Sequence, residues 1–118
     1  MSLETSLQAC FKHTEGAAFV YFIPENFPAF EGHFPNNPLL PAVCQMSLCA
    51  DAASRQTGKR LEVKSVARAK FMRPILPRTK LQITLTPRAD GKTLCELTNP
   101  VNGQKFSQMI LSFKERSK

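Results

Sequence analysis

The chain contains no apolar run of about eighteen residues, the length a helix needs to cross a membrane. Its opening stretch, MSLETSLQACFK, has neither the basic start nor the apolar core of a secretory signal and carries Glu4, so a soluble, cytoplasmic protein is expected. No CxxC or other ligand-like spacing joins Cys10, Cys44, Cys49 and Cys95, which read as reduced thiols, and neither metal nor cofactor is expected. Acidic residues are scarce, nine against sixteen Lys and Arg, and the net charge of +7 favours an acidic partner. Nucleic acid is not expected to be that partner. The sequence has no recognisable nucleic-acid motif, and its phenylalanines sit in apolar runs instead of alternating with basic positions. No repeat, low-complexity segment or linker divides the chain, so residues 1–118 are read as one domain. A chain of this length buries roughly two thirds of its unfolded surface without metal or disulfide.

What the chain does have is concentrated between Phe27 and Ala53. Pro28, Pro35, Pro38 and Pro41 each fix φ and bias the preceding residue away from helix, which predicts an ordered, irregular loop up to Leu40. From Ala42 to Thr57 there is no proline or glycine, and Val43, Met46, Ala50, Ala53 and Thr57 recur at helical spacing. Pro41 suits the first turn of that helix and Gly58 its stop. Ala42, Cys44, Ser47, Cys49, Ala50, Ala52, Ala53 and Ser54 make it thin, and no charge precedes Asp51. A thin, uncharged helix is one a sheet can wrap closely, so it is expected to form the core.

The flanking segments read as strands. Leu7 to Phe11, a turn at Lys12 to Gly16, and the apolar run Ala17 to Ile23 predict a hairpin, with His13 an exposed turn residue of no assigned role. Leu61 to Met72 alternates, with Leu61, Val63, Ser65, Ala67, Ala69 and Phe71 on one face and Glu62, Lys64, Arg68 and Lys70 on the other. After Pro74 and Pro77 the period resumes at Leu81, Ile83 and Leu85, and the turns Asp90-Gly91 and Asn102-Gly103 introduce strands at Lys92–Thr98 and Lys105–Phe113. The order predicts an α+β fold, one helix on a curved antiparallel sheet, with Leu61 to Met72 as an edge that a second chain can cover.

GHFPNNPLLPAV, from Gly32 to Val43, resembles the GHFPxxPxxPGV signature of the β-hydroxyacyl-acyl carrier protein dehydratases, and KFMRPILPRTKL, from Lys70 to Leu81, is similar to their RFKRPVxPGDxL segment. The resemblance covers most of the chain. It implies the hotdog fold, dimers joined edge to edge, and two active sites at the dimer interface. There a loop His and an acidic residue on the other subunit's helix remove water from a β-hydroxyacyl thioester. His33 matches the family's His, and Ala42 stands where Gly is usual. Ser47 occupies the acidic position, and Asp51, one turn further on, is the nearest carboxyl on that helix face.

The resemblance makes His33 and Asp51 the catalytic candidates. Asp51 has a second reading as an ordinary ion pair with Arg55 at i+4. Free N–H groups near Ala42 and Val43 are candidates to polarise the thioester carbonyl. Phe34, Leu40, Met46, Phe71 and Met72 would line an acyl tunnel, or simply form core. Ser47 lies beside it, packing or holding a water. Cys44 reads as a buried, inert thiol rather than an activated thiolate. Lys70, Arg73, Arg78 and Lys80 suit a phosphopantetheine phosphate and an acidic carrier protein, or form a solvated basic face. The leading expectation is a homodimeric or larger dehydratase acting on carrier-protein thioesters in fatty-acid or related acyl-chain synthesis. The alternatives are a non-catalytic acyl-binding hotdog protein, a partner subunit donating His33 to a heterodimer, and a hotdog thioesterase.

Overall fold

In the computed structural model, which describes residues 3–30 and 39–116, the chain leaves Pro41 as a sixteen-residue helix, α2 (Ala42–Thr57). Pro41, at φ −62° and ψ 154°, is extended and sits at the N-cap, one position before the helical turn expected for it. Gly58 ends the helix at φ 75°, donating its N–H to the Ser54 carbonyl at 2.8 Å. A left-handed residue at this position is the usual reason for glycine. The helix buries Cys44, Leu48, Cys49, Ala52 and Ala53. The expected stripe through Val43 is corrected: Val43 is 65% exposed, and the face that meets the sheet is made of Leu48 and the small residues around it. Thin side chains allow the closer approach.

That sheet has six strands in the order β1-β2-β4-β5-β6-β3, every neighbouring pair antiparallel. The strands are β1 (Phe11–Glu15), β2 (Ala18–Ile23), β3 (Leu61–Phe71), β4 (Thr79–Pro87), β5 (Thr93–Thr98) and β6 (Lys105–Glu115). Cross-strand partners share a face. The register therefore puts Tyr21, Leu81, Ile83, Leu97, Met109 and Leu111 on the side that packs against α2, and all are buried. Residues 28–30 form a single 3-10 turn, with Phe27 and Phe30 packed edge to face at 6.0 Å.

Two strand readings need correction. The hairpin exists, but its first strand is Phe11–Glu15 and its turn lies at Gly16-Ala17, while Leu7 belongs to a short helix, α1 (Leu3–Ala9). Leu3 and Leu7 are spaced for one helical face, and Leu7 is buried in the core. His13 is accordingly a strand residue opposite Val20, not a turn residue. In β3 the register shifts between Val63 and Ser65 and again between Val66 and Arg68. These irregularities bring Val66, not Ser65 or Ala67, opposite the inward Leu111. β3 lies at the edge of the sheet, as expected for the Leu61 to Met72 segment. Among the described residues no helix is long and apolar enough to cross a membrane.

Candidate functional site

The start of α2 is fixed by one buried amide. Gln45 Nε2 donates to the Leu40 carbonyl at 3.2 Å, and Gln45 Oε1 accepts from the Ser107 hydroxyl of β6 at 2.7 Å. Leu40 also donates its N–H to the Ile75 carbonyl at 2.8 Å. The chain entering the helix is thus held to β6 and to the loop after β3. A buried amide is tolerated because its donor and acceptor are both satisfied. Sequence reading missed Gln45. The available signal was a long polar side chain among small residues at the start of an otherwise uncharged helix.

At the helix tip, Cys44 and Gln45 both direct their N–H groups to the Pro41 carbonyl at 3.1 Å. No side chain of Pro41 caps the turn, and the N–H groups of Ala42 and Val43 have no partner among the described residues. Such a tip presents oriented donors and the positive end of the helix dipole. His33 and Phe34 lie outside the described residues.

From this tip a cavity of about 570 Å³ runs along the open face of α2, past Val43, Met46, Ser47 and Asp51. Its other walls are α1, through Leu3 and Leu7, the start of β3 at Leu61 and Val63, and Arg116. Its volume is ordinary for a small-molecule site. Ser47 donates its hydroxyl to its own helix, at the Val43 carbonyl, 3.0 Å away. Asp51 is more heavily engaged. Its Oδ2 accepts from the Tyr21 phenol at 2.6 Å and from Arg55 Nε at 2.8 Å. Arg55 in turn stacks on the Phe11 ring, 4.0 Å from its centroid, and donates to the Gln8 carbonyl at 3.3 Å. The Arg55 ion pair read from spacing is therefore present, and Tyr21 extends it into the core. Burial, and then the bond to Asp51, push the Tyr21 phenol far above its ordinary range. Tyr21 was not singled out from sequence, although it is the one tyrosine beside nine phenylalanines. A buried phenol needs a polar partner.

The remaining candidates divide. Leu40 is buried core, while Met46 lines the cavity. Phe71 and Met72 lie outside the cavity, exposed on the β3 edge, with Phe71 opposite Ser107 near the α2 tip. Lys70 lies on β3 and Arg73 just after it, whereas Lys80 lies on β4 and Arg78 just before it, with β5 and β6 between the two strands. Three strand spacings separate them, roughly 14 Å. Consecutive strands in sequence are not neighbours here. Cys44 is buried, and burial raises its pKa, consistent with an inert thiol. Burial likewise pushes Cys10 up to about 11, and a hydrogen bond shared with Cys95 raises Cys49. Among the described residues no group of three His, Cys, Asp or Glu is placed to hold a metal ion.

Comparison with known proteins agrees with this architecture. Residues 9–110 match the model of the ApeI-like family, described as ApeI dehydratase. A 3-hydroxyacyl-acyl-carrier-protein dehydratase, FabZ, of Haemophilus influenzae is 30% identical over 104 residues, covering 80% of this chain and 70% of its own. Among solved structures, the dehydratase heterocomplex ApeI:P of Xenorhabdus doucetiae superposes with a TM-score of 0.69 at 22% identity, covering 84% of this chain and 86% of that one. The E. coli PaaI protein superposes with a TM-score of 0.57 at 13% identity, over 97% and 89% of the two chains. At these identities the structures speak to the fold alone. With the family model matched over most of its length, this hotdog chain belongs to the ApeI-like dehydratase family.

Proposed function

We propose that this chain acts in the cytoplasm on β-hydroxyacyl thioesters of an acyl carrier protein, at a dehydratase-type site, in fatty-acid or related acyl-chain synthesis. The observation that carries the reading is the cavity along α2, which begins at Val43 beside a helix tip whose Ala42 and Val43 N–H groups have no partner among the described residues, and passes Ser47 and Asp51. In the reaction, His33 as base takes the proton from the carbon next to the thioester carbonyl. The electron pair left behind forms the new carbon–carbon double bond, and an acid protonates the departing hydroxyl, which leaves as water. The donors at the α2 tip polarise the carbonyl and stabilise the enolate-like charge. Lys70, Arg73, Arg78 and Lys80 draw in the acidic carrier and its phosphopantetheine phosphate.

A second reading concerns the acid. Ser47 has no acidic proton to give at neutral pH, and Asp51 spends Oδ2 on Tyr21 and Arg55. Both observations favour an acid brought by a different chain, in a heterodimer. The β3 edge suits such pairing, since Val66, Phe71 and Met72 are exposed on it and, among the described residues, no strand pairs its outer backbone groups. The test is incubation of the purified protein with a β-hydroxyacyl carrier-protein thioester, following enoyl product and free thiol together. Enoyl product supports dehydration. Free thiol alone indicates hydrolysis, and binding without either product indicates an acyl-binding or partner role.

A further inference from the structure

We infer that α1 is the stop that sets the length of acyl chain this cavity accepts, an inference that rests on the acyl-thioester reading above. The thioester end of a substrate belongs at the α2 tip, where the N–H groups of Ala42 and Val43 have no partner among the described residues. An acyl chain leaving that tip follows the wall from Val43 to Ser54, roughly 16 Å of helix. It then meets α1. The tethers of α1 place it at this far end: Arg55, in the last turn of α2, donates to the Gln8 carbonyl at 3.3 Å. Glu4 pairs with Arg116, whose backbone N–H bonds the Arg60 carbonyl at 2.8 Å, just before β3 begins. Leu3 and Leu7 face into the cavity from this short helix, and Leu61 closes the wall beside them.

The cavity end of α1 can be reshaped at its exposed residues without disturbing the sheet. Leu7 is buried in the core, but Leu3 is 43% exposed and Glu4 lies at the surface, so changes at Leu3 and Glu4 leave the packed interior intact.

The experiment measures binding of a graded series of 3-hydroxyacyl-pantetheines, from butyryl to palmitoyl length, to the full chain and to Leu3→Ala, Leu7→Ala and Glu4→Gln. Val101→Ala, an exposed position outside the cavity lining, is the control. Affinity for the unaltered chain should rise about fourfold per methylene and then stop rising at a limiting length. Leu3→Ala and Leu7→Ala should move that limit to longer chains, Glu4→Gln should blur it, and Val101→Ala should leave it in place. If Leu7→Ala does not fold, Leu3→Ala and Glu4→Gln carry the test. An unchanged limit in both, with graded binding intact, overturns α1 as the stop. Absence of binding by the unaltered chain at every length overturns the acyl-thioester reading itself, a result distinct from the first.

Discussion

Replacing Tyr21 with phenylalanine removes one hydroxyl and tests what Asp51 is for. The phenol donates to Asp51 Oδ2 at 2.6 Å, from a residue with no exposed surface to a carboxylate whose side chain is 12% exposed. Hydrogen bonds to charged groups contribute about 1.5–3 kcal/mol, and here no water easily replaces the lost donor. Taking about 2 kcal/mol and an unfolding entropy of about 2.1 cal/mol/K per residue, a 118-residue chain should melt about 8 °C lower. Thermal unfolding followed by circular dichroism measures this. The pH dependence has a definite sign as well. Because the native phenol is held protonated, its contribution is complete below its ordinary pKa of 10.0 and is lost as pH rises past that value, where only the unfolded chain ionises. Tyr21→Phe should therefore remove part of the alkaline instability while lowering stability at neutral pH. In a double-mutant cycle, Tyr21→Phe and Asp51→Asn should couple by more than 1 kcal/mol on the scale expected for a charged hydrogen bond. A variant within about 0.5 kcal/mol of the parent, with no coupling, would refute the claim that Asp51 is a latch between α2 and β2.

Other consequences follow from the same contacts. Leu48→Ala removes the largest side chain from the buried face of α2 and should cost about 2–5 kcal/mol in denaturant unfolding. Neutralising Lys70, Arg73 and Arg78 should slow carrier-protein association and flatten its salt dependence, with little change in dissociation, as read by stopped-flow binding. The chain should sediment as a dimer at micromolar concentration, and a charged residue at Phe71 should shift it towards monomer, because Phe71 is exposed on the unpaired β3 edge.

Much of the fold was legible because its signals are local. Pro41 and Gly58 bracket α2 at the residues where the helix begins and ends, and Asp90-Gly91 and Asn102-Gly103 mark the turns between β4, β5 and β6. What escaped depends on partners distant in sequence. Period two could not reveal the irregularities in β3, since they are set by pairing with β6. Leu7 read as strand because seven residues of helix give little periodicity, and its helical state is supported by packing against α2 and the 3-10 turn. At the site, Ser47 and Asp51 were found from the spacing of the resemblance. Their hydrogen bonds differ in kind: Ser47 binds four residues back, a contact any helical serine can make. Asp51 reaches Tyr21, thirty residues away, across a packing that only the folded chain creates. The placement of the basic residues escaped for a related reason, because Lys70 and Lys80, close in sequence across the proline loop, end on strands with two others between them.

The central claim is that this chain holds a β-hydroxyacyl thioester in a dehydratase-type site whose missing part is a carboxyl at Ser47. Ser47 lines the cavity one turn from the α2 tip, and Asp51 lies a further turn along, about 5.4 Å from it and engaged elsewhere. A general acid must come within about 2.6–3.2 Å of the leaving oxygen and contributes about 100-fold to 10,000-fold. The most direct measurement is the rate of enoyl formation from a β-hydroxyacyl carrier-protein thioester by the unaltered chain, by Ser47→Glu and by Asp51→Asn. The account predicts at least a tenfold gain for Ser47→Glu, and no loss beyond the unaltered rate that a stability defect would explain for Asp51→Asn. It is contradicted if Ser47→Glu folds, binds the acyl carrier and yields no more enoyl product than the parent. It is equally contradicted if the parent is already active and a folded Asp51→Asn abolishes that activity.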